Sequence, residues 1–297
     1  MEIIETARQM QEISQVLRKS DNIIGFVPTM GYLHKGHFSL MEKAKKDCTK
    51  VILSIFVNPT QFGEGEDYEK YPKDFDRDEK LAANASMDYI FIPSAGEMYT
   101  KDFKASIKIK EMDSVMCGSF RPGHFEGVCT VVAKLFNITL PHRSYFGLKD
   151  YQQYLIIKKM VKDLNFPVEI TGCPIVREDD GLAMSSRNKY LSGSERKNAT
   201  ILVECLKMAL NRLKNGFTDL NRIRDIALEK FGSSPFISKV DYFDFRDSET
   251  LESINNLSSH DFKSFGSNIL IACAIRIGNT RLIDNMIFDI GELESEN

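Results

Sequence analysis

Ile23-Ile24-Gly25-Phe26-Val27-Pro28-Thr29-Met30-Gly31, followed at once by Tyr32-Leu33-His34-Lys35-Gly36-His37, decides how this chain reads. An apolar strand over 23–27 gives way to two histidines three residues apart, ahead of a helix-forming segment over 38–46. The carboxyl edge of a parallel strand is where open α/β sheets take their ligands. The N-terminus of the next helix adds unpaired N–H groups and a partial positive charge suited to an anion. Gly31 and Gly36 lack a Cβ, so backbone there can come close to a nucleotide. Two imidazoles above that edge can donate to phosphate oxygens as charge builds in a transition state. The pattern points to a nucleotide α-phosphate site, with a metal pair or two surface histidines as alternatives. A zinc site would want a third ligand, and Glu42 and Cys48 lie too far along the helix to supply one.

Outward from this stretch the first half alternates helix and strand. Helical spacing covers 6–19, with Met10, Ile13, Val16 and Leu17 on one face. Residues 51–57 form a run too uniformly apolar for a sheet with one wet face, which suits a parallel strand covered on both sides. A helix over 74–84, a strand over 89–92, a helix over 127–139, a short strand at 145–146, a helix over 151–164 and a strand over 168–170 follow. This alternation predicts an α/β, Rossmann-like doubly wound parallel sheet. No Gly-x-Gly-x-x-Gly and no Gly-x-x-x-x-Gly-Lys-Ser/Thr is present, so neither a dinucleotide fingerprint nor a P-loop accounts for the nucleotide.

The pattern changes near residue 177. A long amphipathic helix is expected over 194–213, with Leu202, Leu206, Leu210 and Leu213 on its stripe, and a second helix over 220–231. Strands are expected over 240–245, 269–276 and 280–287, the last two joined at Gly278-Asn279. The division is therefore a catalytic domain over 1–177 and a smaller C-terminal α+β domain over 178–297, whose acidic tail 291–297 is expected to fray.

Composition limits the function. The chain has 297 residues, 42% hydrophobic and 27% charged, which suits a soluble globular protein. Lys and Arg number 39 against 42 Asp and Glu, a net charge of −3, so no basic field recruits nucleic acid. No apolar run approaches the ~20 residues of a membrane span. The acidic start Met1-Glu2-Ile3-Ile4-Glu5 lacks a signal-peptide pattern. Six scattered cysteines without a C-x-x-C pair read as thiols in a reducing cytoplasm.

Three further segments fall at predicted strand ends. In Asn58-Pro59-Thr60-Gln61-Phe62, Gln61 can offer both a donor and an acceptor to a small polar ligand, or serve as an ordinary turn amide. In Gly147-Leu148-Lys149-Asp150, Lys149 could meet phosphate, while Asp150 is expected to cap the following helix, on which Gln153 lies one turn beyond Lys149. Met184-Ser185-Ser186-Arg187 follows the turn Glu178-Asp179-Asp180-Gly181, and two hydroxyls with a guanidinium suit a polyphosphate. This segment, poor in apolar anchors, is expected to be a loop that closes on its ligand.

Taken together, Val27 to His37, Phe56 to Phe62, Arg121-Pro122-Gly123-His124-Phe125-Glu126-Gly127-Val128, Phe146 to Gln153 and Met184 to Asn188 closely resemble the pantoate–β-alanine ligase family, in its order and spacing. The resemblance implies an enzyme of the nucleotidylyltransferase superfamily that joins pantoate to β-alanine at the expense of ATP through a pantoyl adenylate. It implies an ATP site at Met30, Gly31, Tyr32, Leu33, His34, Lys35, Gly36 and His37, continued by Gly147, Leu148, Lys149, Asp150, Val176, Met184, Ser185, Ser186 and Arg187. His34 and His37 are the implied catalytic pair, with His37 as proton donor, and Gln61 and Gln153 the implied holders of pantoate, Gln61 also lying near β-alanine. Asp78 is implied to help place Mg²⁺. The family also implies a homodimer and a C-terminal domain acting as a lid. Two positions depart from its pattern: Leu148 stands where Glu or Gln is frequent, and Glu126 where relatives are often basic. Another His-x-Gly-His nucleotidylyltransferase would not need both glutamines, and a class I tRNA synthetase would want a basic surface and an anticodon-binding extension.

Overall fold

The computed structural model describes residues 1–257 and 268–291. In chain order the elements begin β1 (Glu2–Ile4), α1 (Ala7–Lys19), β2 (Ile24–Thr29), α2 (Lys35–Asp47), β3 (Lys50–Ile55), α3 (Phe75–Asn84), β4 (Tyr89–Phe91) and α4 (Ala95–Met98). They continue α5 (Cys117–Phe120), α6 (His124–Thr139), β5 (Arg143–Gly147), α7 (Tyr151–Asp163) and β6 (Glu169–Cys173). After these come α8 (Gly193–Asn198), α9 (Ile201–Lys214), α10 (Leu220–Gly232), β7 (Ile237–Asp247), β8 (Asn268–Ile277) and β9 (Thr280–Asp289). Two compact units result: Met1–Ser114 with Arg121–Val176, and Val115–Phe120 with the chain from Arg177 onward. The segment Val115–Phe120 thus belongs to the second unit, although sequence pattern assigns it to the first domain.

In the first unit six strands run in the order β1-β4-β3-β2-β5-β6, and every pair is parallel. From β2 the chain builds outward through β3 and β4, then returns to place β5 on the other side of β2. The reversal creates a crevice at the carboxyl ends of β2 and β5, where doubly wound sheets bind ligands. The strands are buried on both faces, as their apolar runs require: Ile24, Phe26, Val27, Val51, Ile52 and Leu53 are fully enclosed. Edge strand β1, only three residues long, escapes sequence periodicity and is identified only by its pairing with β4.

In the second unit β7, β8 and β9 form an antiparallel sheet, with Ile277 paired to Thr280 around the two-residue turn Gly278-Asn279. Leu202, Leu206 and Leu213 of α9 and Ile223 and Phe231 of α10 pack with Phe243, Phe245, Ile271 and Cys273 of the sheet. Leu210 is only partly buried; Cys205 and Ala209 take the middle of the stripe.

The helix expected over 194–213 is two helices, interrupted at Ala199-Thr200. Ser192 and Glu195 close a reciprocal capping box on α8, and neither Gly nor Pro marks the interruption in the sequence. Helix α6 starts at His124, three residues earlier than expected, because the left-handed Gly123 (φ 81°) begins it. Tail residues 292–297 lie outside the described residues.

Candidate active site

Helix α2 begins at Lys35, so the two histidines are its cap and first turn, whereas the sequence pattern places them ahead of the helix. His34 is the N-cap, and its Nδ1 accepts the Gly36 N–H at 3.1 Å. His37, at the third helical position, accepts the His34 N–H on its own Nδ1 at 3.2 Å. The pair is a capping box made of imidazoles, each doing the work usually given to Ser and Glu. Gly36 permits it, since a Cβ there would sit 2.9 Å from the His34 ring. The glycine therefore makes room for a side chain of this motif.

These bonds assign the tautomers. An Nδ1 that accepts carries no hydrogen, so in both neutral rings the hydrogen sits on Nε2. The ring centroids lie 4.1 Å apart. Burial, then the neighbouring His34 and then the Lys149 ammonium hold the His37 pKa well below the usual imidazole value. His37 is thus a neutral Nε2–H donor across the neutral range, and Lys149, at the end of β5, lies close enough to influence it.

Asp78, on the first turn of α3, governs the loop ahead of these histidines. Its carboxylate accepts the Tyr32 N–H at 2.6 Å and the Leu33 N–H at 2.7 Å, one on each oxygen. Arg77 donates to the Leu33 carbonyl at 2.8 Å and lies 4.9 Å from the Tyr32 ring centroid. Gly31 and Tyr32, both at positive φ (82° and 51°), turn the chain here. Asp78 is almost wholly buried, and among the described residues no group of three His, Cys, Asp or Glu is placed to hold a metal. The carboxylate anchors the loop through both oxygens, and the Mg²⁺ role that the family resemblance implies for it is a separate question of chemistry.

An Asp78→Asn change tests this. One amide oxygen cannot serve both N–H groups, and a buried donor left unpaired costs about 1–3 kcal/mol. Denaturant melts should show a loss of that order, with the Mg²⁺ concentration dependence of activity unchanged. Full stability combined with an altered Mg²⁺ requirement would favour the metal role over the anchor.

Beyond β3, Asn58 organises the segment that carries Gln61. Its Oδ1 accepts from the Tyr99 hydroxyl at 2.7 Å and the Thr60 hydroxyl at 3.0 Å. Its amide therefore donates, to Gln61 Oε1 at 3.1 Å and to the Gly127 carbonyl at 3.2 Å. With Oε1 taken, Gln61 presents its Nε2 hydrogens, which reach the Met30 sulfur at 3.4 Å. A buried glutamine so oriented offers donors to a ligand's carboxylate or hydroxyl oxygen. Gln153 sits half-buried in the first turn of α7, three residues beyond the 3₁₀ turn Leu148–Asp150. Asp150 makes no side-chain cap to α7, contrary to expectation, and is exposed. Leu148 lies over Gly172 of β6, so at this departure from the family the side chain packs within the unit.

The first unit thus gathers His34, His37, Lys149, Gln61, Gln153 and the Met30–Leu33 loop on the carboxyl side of its sheet, while Val176 closes the unit. Met184, Ser185, Ser186 and Arg187 belong to the second unit, where Ser185 caps a 3₁₀ turn by accepting the Arg187 N–H at 3.2 Å. Sequence reasoning gives no role to Asn58, Tyr99 or Arg77. Asn58 has a signal, since it stands between a strand end and a proline; Tyr99 and Arg77 come from distant segments and have none.

The 178–188 segment is better anchored than expected. Leu182 and Ala183 are buried, and Leu182 joins the second unit's core. Arg196 pairs with Glu178 and Asp180, each at 2.7 Å. Asn188 donates to Glu178 at 2.8 Å and to the Ala183 carbonyl at 3.1 Å. Arg177 grips buried Asp284 through both nitrogens, at 2.6 and 2.9 Å. Hydrogen exchange across 178–188 should accordingly be slow before any nucleotide is added. Fast exchange that slows only with a non-hydrolysable ATP analogue would mean the loop orders on its ligand after all.

Comparison with known proteins fits this geometry. A family model described as pantoate-beta-alanine ligase matches residues 2–287. The pantothenate synthetase of Caldicellulosiruptor saccharolyticus is 49% identical over 290 residues, covering 98% of this chain and 100% of that protein. The enzyme of Thermotoga petrophila is 49% identical over 287 residues, covering 97% and 99%. Among solved structures, pantothenate synthetase from Thermus thermophilus superposes with a TM-score of 0.87 at 39% identity, covering 96% of this chain and 99% of that one. Pantoate-beta-alanine ligase from Francisella tularensis, complexed with beta-gamma ATP and beta-alanine, gives 0.78 at 36% identity, covering 97% of each chain. A match of this length, over a sheet whose crevice holds the paired histidines and the oriented glutamine, leaves one assignment: the chain belongs to the pantoate–β-alanine ligase family.

Proposed function

We propose that this protein condenses pantoate with β-alanine to give pantothenate, AMP and pyrophosphate, using ATP. The observation that carries the reading is the imidazole capping box at the sheet's switch point, which uses each ring's Nδ1 as an acceptor and leaves the Nε2 side to donate to a transferring phosphate. Pantoate's carboxylate oxygen attacks the α-phosphorus, and the bond to the β-phosphate's bridging oxygen breaks, releasing pyrophosphate. The amine of β-alanine then attacks the acyl carbon, loses a proton, and expels AMP with the oxygen that came from pantoate.

His37 and His34 donate to the α-phosphate oxygens, and Lys149 supplies a fixed positive charge. Gln61 and Gln153 hold pantoate from opposite sides, with Gln61 as a donor. Gly147 to Asp150 and Val176 line the nucleotide, while Met184, Ser185, Ser186 and Arg187, carried on a second unit that acts as a lid, take the β- and γ-phosphates. Support for these last roles is the resemblance of the segments to the family's motifs. Mg²⁺ would neutralise charge on the triphosphate, with phosphate and water oxygens suiting its preference, and Asp78 is the carboxylate whose resemblance to the family's motif would let it help place the ion. The enzyme is a homodimer of the cytoplasm, a placement supported by six buried cysteines and no disulfide.

Incubation with pantoate, β-alanine and ATP should yield pantothenate and AMP in equal amounts. ADP and phosphate as products, or turnover with a different acid in preference to pantoate, would refute the reading. A different His-x-Gly-His nucleotidylyltransferase is the alternative that the second outcome would favour.

A further inference from the structure

His124 belongs to the Arg121-Pro122-Gly123-His124 stretch, whose side chains have no part in the chemistry above, yet it is buried directly behind Gln61. Its Nδ1 lies 2.8 Å from the Gln61 carbonyl oxygen, and its Nε2 lies 3.0 Å from Arg121 Nη1. Arginine has donors only, so Nε2 must accept and the ring hydrogen must sit on Nδ1, from which it donates to the Gln61 carbonyl. Arg121 also donates to that carbonyl, at 3.3 Å, and is itself fixed by a fork onto Glu66 at 2.7 and 2.6 Å. From the same side, Gly127 brings the first turn of α6 against the Thr60-Gln61 peptide, where a Cβ would lie 2.7 Å from the Gln61 nitrogen. Glu66, Arg121 and His124 thus form a chain of bonds ending on one peptide unit, the one that carries the glutamine assigned to pantoate.

We propose that His124 is a positioning residue for the pantoate site, fixing the Gln61 backbone through its Nδ1–H while Arg121, braced by Glu66, sets its tautomer. The inference rests on the role proposed for Gln61 in holding pantoate. Asn58 orients the side chain of Gln61 and His124 its backbone, so together they leave the Nε2 donors one direction. His124 makes no contact with reacting atoms and acts only through Gln61.

The test compares His124→Leu with His124→Asn, whose amide nitrogen falls where Nδ1 does and keeps the bond to Gln61. His124→Leu should raise the pantoate KM about tenfold, leave the ATP KM within about twofold, and change kcat less than the pantoate KM. His124→Asn should recover most of the pantoate KM. Equal rises in both KM values without rescue by Asn, or a Leu variant with normal pantoate KM, would overturn the proposal. Should the Leu variant fail to fold, the wild-type protein still decides: long-range ¹H–¹⁵N spectra should show His124 protonated at Nδ1. An Nε2-protonated His124 would break the chain of bonds and the proposal with it. Wild-type protein that makes no pantothenate would refute the functional reading; normal wild-type turnover with an unaffected Leu variant would refute only this inference.

Discussion

Replacing His37 with alanine is expected to slow formation of the pantoyl adenylate about a hundredfold while the protein still folds. A preorganised donor aimed at a transition-state oxygen lowers the barrier by about 2.7–4 kcal/mol, because it need not reorganise as charge develops. The change also removes the acceptor for the His34 N–H, a hydrogen bond worth about 0.5–1.5 kcal/mol, too little to unfold a domain of this size. His34→Ala should cost less in rate, since His37 keeps its own ring and neighbours. Single-turnover pyrophosphate release, without β-alanine, isolates the step. A rate near wild type in the His37 variant would remove the residue from the chemistry.

The pH dependence follows from the same geometry. Burial and two cationic or ionisable neighbours hold His37 below the ordinary imidazole value, so it stays neutral as pH falls through 6.5. Adenylate formation should therefore show no loss at pH 6.5 attributable to this ring. Protonation, once it occurs at lower pH, places a hydrogen on Nδ1 and ends its acceptance of the His34 N–H. An inflection near 6.5 that disappears in the His37 variant would contradict the tautomer assignment.

Gln153→Ala is expected to raise the pantoate KM by about tenfold or more with little change in ATP binding. A ligand hydroxyl or carboxylate buried without its partner loses about 1–3 kcal/mol, and the loss falls on whichever substrate the glutamine faces. Gln61→Ala should act the same way and also disturb β-alanine, since Asn58 holds its Oε1 and leaves its Nε2 hydrogens to donate. Calorimetric titration separates the two substrates. Weakened ATP binding with normal pantoate binding would move Gln153 into the nucleotide site.

Much of this architecture is legible in the amino-acid order alone. Uniformly apolar runs such as 51–57 signal strands covered on both faces, and the structure has β3 in the sheet interior. The two-residue turn at Gly278-Asn279 is also readable, as is the change of architecture beyond the sixth strand. What escapes the sequence does so for physical reasons. The start of α2 is missed because capping rules look for hydroxyls and carboxylates, whereas an imidazole Nδ1 accepts equally well. The anchoring of the Tyr32-Leu33 backbone by Asp78 is invisible in the sequence because these partners lie more than forty residues apart along the chain. The interruption of the 194–213 helix leaves no residue signal at all. Anchoring of the 178–188 segment depends on Arg177, Asp284 and Arg196, partners that local composition cannot announce.

The most direct measurement follows the oxygen. With pantoate labelled by ¹⁸O in its carboxylate, attack on the α-phosphorus carries one labelled oxygen onto phosphorus, and expulsion by β-alanine leaves it in AMP. Mass spectrometry of the products should find one ¹⁸O in each AMP and none in pyrophosphate. Label in inorganic phosphate, or AMP without label, would contradict an acyl-adenylate route and with it the catalytic roles of His34 and His37.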